Sequence, residues 1–403
     1  MILTLCLLLL VGTSITLTLI AHGAVHWLSR QQARPKRGVV PVSVLRPMKG
    51  LDDDFEANLE SLCRQDHPQY EILLGAADSA DPALVVARKV ARNHPELPIR
   101  VIAGEWVLGL NPKVRVLRNL IRSARYDAIL ISDSNVHAGE SYLSATTAEL
   151  NDPRVGLVSN PIVGVGGATF GSSIENLLFN TFVLQGIALA NYLGKHACVQ
   201  GKSMLMRRRA LQQAGGLAKF ANVLAEDYLI GRAISKAGWR VVTSPIAIET
   251  VCNSGSLPQM WKRQLRWAKT RRSLGVAGYI FELVLSPNIW LTVAALLAAH
   301  SPFVHALRYE IPALVGCAIA YCLVCLSEAV AVRKWSGDCK SLLAGALRAS
   351  WRQHLQLSWW LFAWCTNEVT WRGERLRVGK GSVLTVARRP LVPVRQRLSR
   401  QAA

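Results

Sequence analysis

The sequence predicts an α/β protein with a doubly wound, mostly parallel sheet that is held to a membrane by apolar segments. Residues 39 to about 250 alternate short β-rich runs with helical patterns, which is typical of such a sheet. Hydrophobic residues make up 51% of the 403 residues, although the formal net charge is +21. Long apolar runs before and after the alternating part account for that combination, so the chain combines one α/β domain with membrane segments.

The first apolar run, Met1 to Leu28, contains no Asp, Glu, Lys or Arg, and His22 and His26 are its only side chains that can become positively charged. At about 1.5 Å per residue, a helix of this length crosses a hydrocarbon layer of roughly 30 Å. No basic stretch precedes the run, and no small-residue cleavage site leads to a polar start. We therefore expect residues 1–28 to be an uncleaved anchor, followed by the basic flank Ser29–Gly38.

The α/β domain is expected over residues 39–275. The predicted strands are Val40–Leu45, Tyr70–Ala76, Ile99–Ala103, Ala128–Ser132 and Trp239–Ser244. The predicted helices are Phe55–Cys63, Pro82–Asn93, Lys113–Ser123 and a helix that begins near Glu226 and closes at Gly238. Ligands of doubly wound sheets bind beyond the carboxyl ends of the strands, so the residues that follow each strand are the candidates for a site.

Two aspartates follow predicted strands. Asp133 lies in ISDSN with short polar neighbours, a setting that suits a hard divalent cation such as Mg²⁺ or Mn²⁺. An Asx turn that closes the strand is the alternative for Asp133. Asp78 lies in ADSADPA, where Asp81 before Pro82 is typical of a helix N-cap, so a plain turn explains Asp78 equally well.

Two further segments have two interpretations each. Glu226 and Asp227 stand at a helix start, where acids complement the helix dipole, but a buried Asp there is also suited to act as a general base. In WKRQLRW, residues 261 to 267, three cations lie between two tryptophans. They are either interfacial anchors beside a membrane helix or ligands of a strongly anionic substrate.

The apolar runs late in the chain predict a membrane hairpin. Pro287 to about His300, extended backward through Tyr279–Leu285, and Ile311–Val332 give two transmembrane helices within residues 279–334. Leu355–Cys365 is too short to span unless preceding basic residues enter the lipid, which is costly. Its three tryptophans suit an interfacial or re-entrant helix, expected within residues 340–370.

The distribution of Lys and Arg predicts the orientation. The flank after the first span, the pair Arg333–Lys334 and the basic tail, residues 371–403, are all expected on the cytoplasmic side. Only His305 and Arg308, beside Glu310, fall in the predicted outer loop. An anionic membrane surface is then the expected partner of the positive charge, and no recognition motif points to nucleic acid. Of the nine cysteines, Cys6, Cys317, Cys322 and Cys325 lie within apolar spans and none shows paired zinc-ligand spacing, as expected in a reducing compartment.

The order of these motifs carries a resemblance. Asp78, Asp133, Asp227 and the segment 263–267 (RQLRW) follow the D, D, D, (Q/R)xxRW series of membrane glycosyltransferases with a GT-A fold. The sequence resembles the ceramide glucosyltransferases in VSVLRPMKGLDDDFEANLES (42–61), GLNPKVRVL (109–117), ACVQGKSMLMRR (197–208), QQAGGL (212–217) and AEDYLIGRAISKAGWR (225–240). Hopanoid-associated glycosyltransferases are similar but tend to carry a second acid where this chain has Asn135. That departure favours the ceramide branch and leaves fewer carboxylates for a metal.

The resemblance implies a function for the whole chain. It implies an inverting enzyme that moves a sugar, with glucose from UDP-glucose favoured, onto the primary hydroxyl of a membrane lipid, with ceramide favoured. There are two alternative functions. One is transfer from another UDP-sugar to a hopanoid or diacylglycerol acceptor, and the second is a catalytically silent membrane scaffold. The expected location is a bacterial inner membrane with the GT-A domain in the cytoplasm. No oligomeric state is predicted.

The resemblance also implies a role for each motif residue. Asp78 and Lys113 would contact the nucleotide, Asp133 would hold the divalent cation at the diphosphate, Asp227 would be the base, and Arg263, Gln264, Arg266 and Trp267 would close over the donor and leaving group. Physical chemistry agrees with these roles. A departing nucleoside diphosphate develops negative charge, which guanidinium groups and a cation stabilise. A carboxylate that takes the proton of the acceptor hydroxyl makes that hydroxyl a better nucleophile.

Overall fold

The computed structural model describes residues 2–31, 38–105, 109–193, 198–284, 286–300, 311–336, 342–371 and 373–387. Several charges used for the predicted orientation lie outside the described residues. They are Arg34, Lys36 and Arg37 of the first flank, His305, Arg308 and Glu310 of the predicted outer loop, and the tail beyond residue 387.

The strands agree closely with the predicted ones where a prediction was made. Their bounds are β1 Val42–Met48, β2 Tyr70–Ala76, β3 Ile99–Ala103, β4 Ala128–Ser132, β5 Val136–His137, β6 Val155–Ser159, β7 Ile162–Val165, β8 Ser203–Arg207, β9 Arg240–Thr243, β10 Ile248–Val251, β11 Glu368–Trp371, β12 Glu374–Val378 and β13 Leu384–Val386. The predicted strands β2, β3 and β4 match to the residue.

The helices of the described residues alternate with the strands and then continue as a C-terminal helical series. Their bounds are α1 Ile2–Gln31, α2 Phe55–Cys63, α3 Pro82–Asn93, α4 Pro112–Ser123, α5 Tyr142–Ala148, α6 Phe170–Leu178, α7 Leu184–Tyr192, α8 Arg208–Gln213, α9 Glu226–Lys236, α10 Leu257–Leu274, α11 Val276–Val284, α12 Pro287–Ala298, α13 Ile311–Ser336 and α14 Leu342–Cys365. A π-helical turn, Phe179–Val183, joins α6 to α7.

The central sheet has seven strands in the order β3-β2-β1-β4-β8-β6-β9. β1 pairs in parallel with β2 and β4, β2 with β3, and β6 with β9, while β8 runs antiparallel to β4 and β6. The predicted mostly parallel sheet is therefore confirmed. The chain order reverses between β1 and β4, and such a switch point is where a doubly wound sheet opens a crevice for ligands.

Both faces of this sheet are covered, which explains the continuous apolar runs of its strands. β1, β2 and β4 are buried along their whole length. One face packs against α2 and α3, and the other packs against α4, α8 and α9. Because β8 is antiparallel, its first residues lie beside the end of β4, with Ser203 paired to Ser132. This register brings the loop before β8 to the switch point.

Two helical segments are long and apolar enough to cross a membrane. One is Leu9–Leu28 in α1, as predicted, and the other is Phe170–Tyr192, which no sequence argument had singled out. A pair of helices, Val276–Val284 and Pro287–Leu297, passes the same test together but bends by 65° at its break. In α13 the apolar stretch is the shorter Leu314–Val330. The described helices thus support a membrane association.

The segment Leu355–Cys365 is the second half of the long helix α14 and not a separate short one. Arg352, in the first half, is buried and donates from Nη2 to Glu328 Oε1 of α13 at 2.8 Å. That ion pair removes much of the cost of an unpaired charge among apolar helices.

The segment assigned to a basic tail begins with folded structure. β11, β12 and β13 form a small antiparallel sheet, and Lys269 of α10 donates to the carbonyl of Glu368 at its start. Ser382, fully buried, accepts from the backbone N–H of Ala225 at 2.9 Å, and its carbonyl accepts from Leu224 at 2.8 Å. The sheet therefore supports the loop that leads into α9.

Candidate functional site

The loop after β4 is held in place by a buried arginine at the end of β1. Arg46 is fully buried, and its guanidinium donates to the carbonyl oxygens of Asp133 (2.9 Å), Ser134 (3.3 Å), Asn58 (2.7 Å) and Val136. Burial lowers the pKa of Arg46 from 12.5 to about 10, against the opposing effect of nearby acidic groups. The hydrogen bonds from Arg46 thus fix the backbone of the loop that carries Asp133.

The carboxylate of Asp133 lies between two lysines. Lys113 Nζ is 2.7 Å from Oδ1, and Lys202 Nζ is 3.7 Å from Oδ2. Lys113 comes from the first turn of α4, whose N-cap Asn111 accepts from the Lys113 backbone N–H at 3.0 Å. Lys202 comes from the loop before β8, and its ammonium also contacts Asn135 Oδ1. The structure therefore joins the predicted nucleotide lysine to the predicted cation ligand.

The start of α9 reaches the same place. Asp227 Oδ2 accepts from the backbone N–H of Gly201 at 2.7 Å, and Lys113 Nζ donates to the carbonyl of Gly201 at 3.0 Å. Glu226 points inward, 3.6 Å from Lys113 Nζ, and accepts from Asn111 at 3.0 Å. One residue, Gly201, thus bridges the predicted base and the predicted nucleotide lysine. These residues, together with Asp133 and Lys202, are called the strand-end cluster below.

Burial sets the protonation behaviour of the strand-end cluster. It raises the pKa of Asp227 above its ordinary value, while Lys113 and two backbone N–H groups oppose that rise. It also raises the pKa of Glu226, again against Lys113. Burial lowers the pKa of Lys113, but Asp133 and Glu226 more than compensate, so that pKa ends above its ordinary value. A carboxylate with a raised pKa in a crevice is a stronger proton acceptor than an ordinary aspartate.

Asp78 lies in an exposed turn after β2. Its Oδ1 accepts from the backbone N–H of Ala80 at 2.9 Å, and its carbonyl accepts from Asp81. Asp81 caps α3 through the N–H of Ala83 and also accepts from Gly50 in the loop after β1. The local geometry of Asp78 is thus an Asx turn, in line with the plain turn that was the alternative for it, at the strand end where a nucleotide contact was expected.

The segment 261–267 forms part of α10. Arg263 lies 3.3 Å from Oε1 of the buried Glu175 in α6. Gln264 is buried, and its Nε2 has no hydrogen-bond partner among the described residues. The guanidinium of Arg266 stacks 5.5 Å above the ring of Trp371, and Trp267 meets Phe179 edge-on at 5.5 Å. The four predicted residues therefore share one helix, whose contacts fix three of them against α6, the π-helical turn and β11.

A divalent cation fits the donor set of the loop after β4. In the described part of the chain no three His, Cys, Asp or Glu side chains gather as a metal site. Asp133 and the side-chain oxygen of Asn135, however, both lie within reach of one ammonium nitrogen, that of Lys202. Mg²⁺ and Mn²⁺ commonly take one or two protein oxygens and complete their shell with substrate phosphates and water. The residues present match that pattern.

Four residues of the site escaped the sequence argument. Arg46 and Glu175 lie inside a strand and a helix, and the sequence assigned no role to either. Lys202 precedes β8, whose antiparallel direction could not be read from the sequence, and Glu226 was weighed only as a helix-dipole partner. Burial of a charged side chain marks Arg46, Glu175 and Glu226 in the structure, and Lys202 is marked by its contacts with Asn135 and Asp133.

Comparison with known proteins gives one family match over nearly the whole chain. The model of glycosyl transferase family 21 matches residues 4–384. Ceramide glucosyltransferase 3 of Caenorhabditis elegans is 29% identical over 231 residues, which are 57% of this chain and 50% of that protein. Ceramide glucosyltransferase of Komagataella phaffii is 27% identical over 297 residues, 60% of this chain and 58% of that protein. The chain thus spans little more than half the length of these relatives.

Solved structures give a weaker likeness. Mannosyltransferase PcManGT from Pyrobaculum calidifontis, in complex with GDP-Man and Mn²⁺, is 20% identical with a TM-score of 0.47, covering 85% of this chain and 99% of that one. S. aureus TarS 1-349 in complex with UDP-GlcNAc is 15% identical with a TM-score of 0.39, covering 86% and 99%. Both TM-scores lie below 0.5, so membership rests on the sequence. Because the family match covers 4–384 of 403 residues, the chain belongs to glycosyl transferase family 21, the class of enzyme that the order of the motifs predicted.

Proposed function

We propose that this chain is an inverting glycosyltransferase that moves glucose from UDP-glucose onto the primary hydroxyl of ceramide. The family match and the ceramide glucosyltransferase relatives support a sugar transfer to a lipid. Asn135, in place of a second acid, favours the ceramide branch of the resemblance. We place the α/β domain on the cytoplasmic side of a bacterial inner membrane, in line with the distribution of Lys and Arg.

The observation that carries the proposal is the bridge at Gly201. The N–H of this residue binds Asp227, and its carbonyl binds Lys113, whose ammonium also contacts Asp133. A base for the acceptor and a positive group for the diphosphate are thereby fixed side by side at the switch point of the sheet. A displacement at a sugar carbon uses both groups, because the base must reach the incoming hydroxyl while the positive charge faces the departing phosphate.

The transfer is a single displacement. A carboxylate oxygen of Asp227 accepts the proton of the acceptor hydroxyl as the hydroxyl oxygen bonds to the anomeric carbon. The bond from that carbon to the diphosphate oxygen breaks with its electron pair on UDP. One base and no covalent intermediate invert the anomeric centre, which gives a β-linked product from an α-linked donor. The raised pKa of Asp227 favours the proton transfer.

The leaving diphosphate needs positive charge around it. Lys113 supplies one such charge from within the cluster, and Arg266 of α10, supported on Trp371, supplies a planar donor that suits a phosphate. A Mg²⁺ or Mn²⁺ ion held by Asp133 and Asn135 would stabilise charge on the diphosphate when bound.

The membrane segments suit an acceptor that stays in the bilayer. Removing a ceramide from lipid costs about 0.8 kcal/mol for each buried CH₂, so the site must come to the membrane surface. The segment Phe170–Tyr192, which is apolar enough to span, begins in α6, and α6 also carries the Glu175 that pairs with Arg263 of α10. Catalytic domain and apolar helices are therefore one continuous structure.

The test is sugar transfer by purified protein in lipid vesicles. Radiolabelled UDP-sugars are offered with ceramide, diacylglycerol or a hopanoid lipid, each with Mn²⁺, Mg²⁺ or EDTA. We expect label from UDP-glucose in a β-linked ceramide product, and a fall of about 10²–10⁴-fold in turnover for Asp227→Asn. Asp127→Asn, the same change at an exposed site, is the matched control.

Each of the other possible outcomes would refute a different part of the proposed function. Label in diacylglycerol or the hopanoid alone would refute the ceramide acceptor. Incorporation from a different UDP-sugar would refute glucose. Undiminished turnover in Asp227→Asn would refute the base, and no transfer by the wild-type protein under any condition would favour the silent scaffold.

A further inference from the structure

Lys202 occupies a position that no motif of the family series accounts for. It lies in the loop before β8, opposite Asp133, whose backbone N–H donates to the Lys202 carbonyl at 3.2 Å. Its side chain is 16% exposed. Its Nζ contacts Asn135 Oδ1 and stands 3.7 Å from Asp133 Oδ2. The lysine thus points at the oxygens that a divalent cation would use.

The charge balance at this point is unusual for a cation site. Asn135 is neutral, and Asp133 is already in closer contact with Lys113, at 2.7 Å against 3.7 Å for Lys202. Lys113 is buried and shares its charge with Glu226 as well. Arg263 is engaged with the buried Glu175. Among these three cations, Lys202 is the one whose nearest partner is a neutral amide, and its longer ion pair with Asp133 is shared with Lys113.

We propose that Lys202 binds the diphosphate of the sugar-nucleotide donor and gives this chain a component of donor binding that needs no metal. The proposal rests on the proposed function, because it assigns part of the same donor site. An ammonium beside Asn135 and Asp133 offers the phosphate oxygens the same sign of charge that a divalent cation would supply. The neutral side chain of Asn135 suits this role of Lys202, because an acid at position 135 would neutralise the ammonium.

The experiment measures binding of UDP and of uridine to the full chain in lipid nanodiscs by isothermal titration, in EDTA and in Mn²⁺. In EDTA we expect Lys202→Met to weaken UDP about 10- to 100-fold, the worth of a charge-assisted hydrogen bond. Uridine should bind both proteins within about 2-fold, since it lacks the diphosphate. Lys202→Arg keeps the cation and should stay close to the wild type. Lys236→Met, at an exposed position of α9, is the matched control.

A second variant tests the same charge without removing the lysine. Asn135→Asp places a carboxylate against the Lys202 ammonium and should weaken UDP about 10-fold in EDTA. The same variant adds an oxygen ligand, so Mn²⁺ should raise its UDP affinity more than it raises that of the wild type.

Four results would contradict either the role of Lys202 or the function on which it rests. Equal UDP affinity of Lys202→Met and Lys236→Met in EDTA would overturn the proposal. So would an equal loss of uridine binding, since the lysine would then support the fold and not the phosphate. Wild-type protein that binds UDP in Mn²⁺ but not in EDTA would overturn it while leaving the proposed transferase intact. Wild-type protein that binds UDP in neither would refute the UDP-dependent function itself.

Discussion

The buried arginine of β1 provides the sharpest test of how this fold holds its site. Arg46→Met removes the guanidinium but keeps an apolar stem of similar length. The carbonyls of Asn58, Asp133, Ser134 and Val136 then lose a charged donor. Two of those carbonyls lie in the loop that carries the predicted cation ligand, and that of Val136 lies where the loop enters β5, so the change should affect both stability and the proposed donor binding.

The magnitude follows from the hydrogen bonds that the guanidinium makes. A hydrogen bond to a charged group contributes about 1.5–3 kcal/mol net of its exchange with water. Nη2 is shared among the carbonyls of Asp133, Ser134 and Val136, and burial lowers the pKa of Arg46 to about 10, which disfavours the charged form. We therefore expect a loss of about 3 kcal/mol of unfolding free energy, no more than two unshared bonds of this kind. For an α/β unit of this size, that lowers Tm by about 6–12 °C.

The assay is thermal unfolding in detergent followed by tryptophan fluorescence, with sugar transfer measured below the transition. Arg154→Met, at a guanidinium whose side chain is 75% exposed, is the control and should change stability by no more than about 0.5 kcal/mol. Arg46→Lys should fall between the two, because an ammonium has three donors and no planar fork. An unchanged Tm with unchanged transfer in Arg46→Met would refute the view that this arginine fixes the loop.

Three further outcomes are expected. The acid limb of kcat/KM should lie above the ordinary pKa of 3.8 because burial raises the pKa of Asp227, and Lys113→Met should move it further up by removing the charge that opposes the rise. Gly201→Ala should lower turnover about 10-fold or more at nearly unchanged Tm, since the added Cβ would lie 2.8 Å from the Asp227 carboxylate. Glu328→Gln should lower Tm by removing the counter-charge of the buried Arg352, at a cost of about 3–5 kcal/mol, while a Glu328→Gln, Arg352→Met double variant should recover much of it.

Regular strands and capped helices were the parts of the fold that the sequence could predict. The runs AILIS and YEILLGA are apolar because both faces of the sheet are covered, and Asp81 before Pro82 does cap α3 through Ala83. The segment Phe170–Tyr192 was not predicted as an apolar helix because its buried polar residues interrupt the apolar pattern. Asn180, for example, exchanges two hydrogen bonds with the backbone of Gly164 in β7. Because such partners lie far apart in the sequence, local hydrophobic periodicity cannot predict them.

The candidate site likewise contains residues that the sequence could predict and residues that it could not. Asp133 and Asp227 could be selected because a strand end and a helix start are legible in sequence, and the structure brings both to Gly201 and Lys113. Lys202 could not be selected, because its position depends on the antiparallel pairing of β8 with β4. Nor could the sequence show that the chain after α14 folds back and supports the loop before Asp227 through Ser382.

The tryptophan-flanked helix α10 joins these two groups of residues. Its first tryptophan, Trp261, packs against Trp359 and Phe362 of α14, whereas its last, Trp267, packs against Phe179 beside the α/β domain. Between them Arg263 engages Glu175, and Lys262 remains exposed. The same helix therefore contacts the apolar helical series at one end and the α/β domain at the other. An interfacial anchor and a substrate-binding segment are thus compatible in one helix, and the proposed transfer to a lipid acceptor would use both.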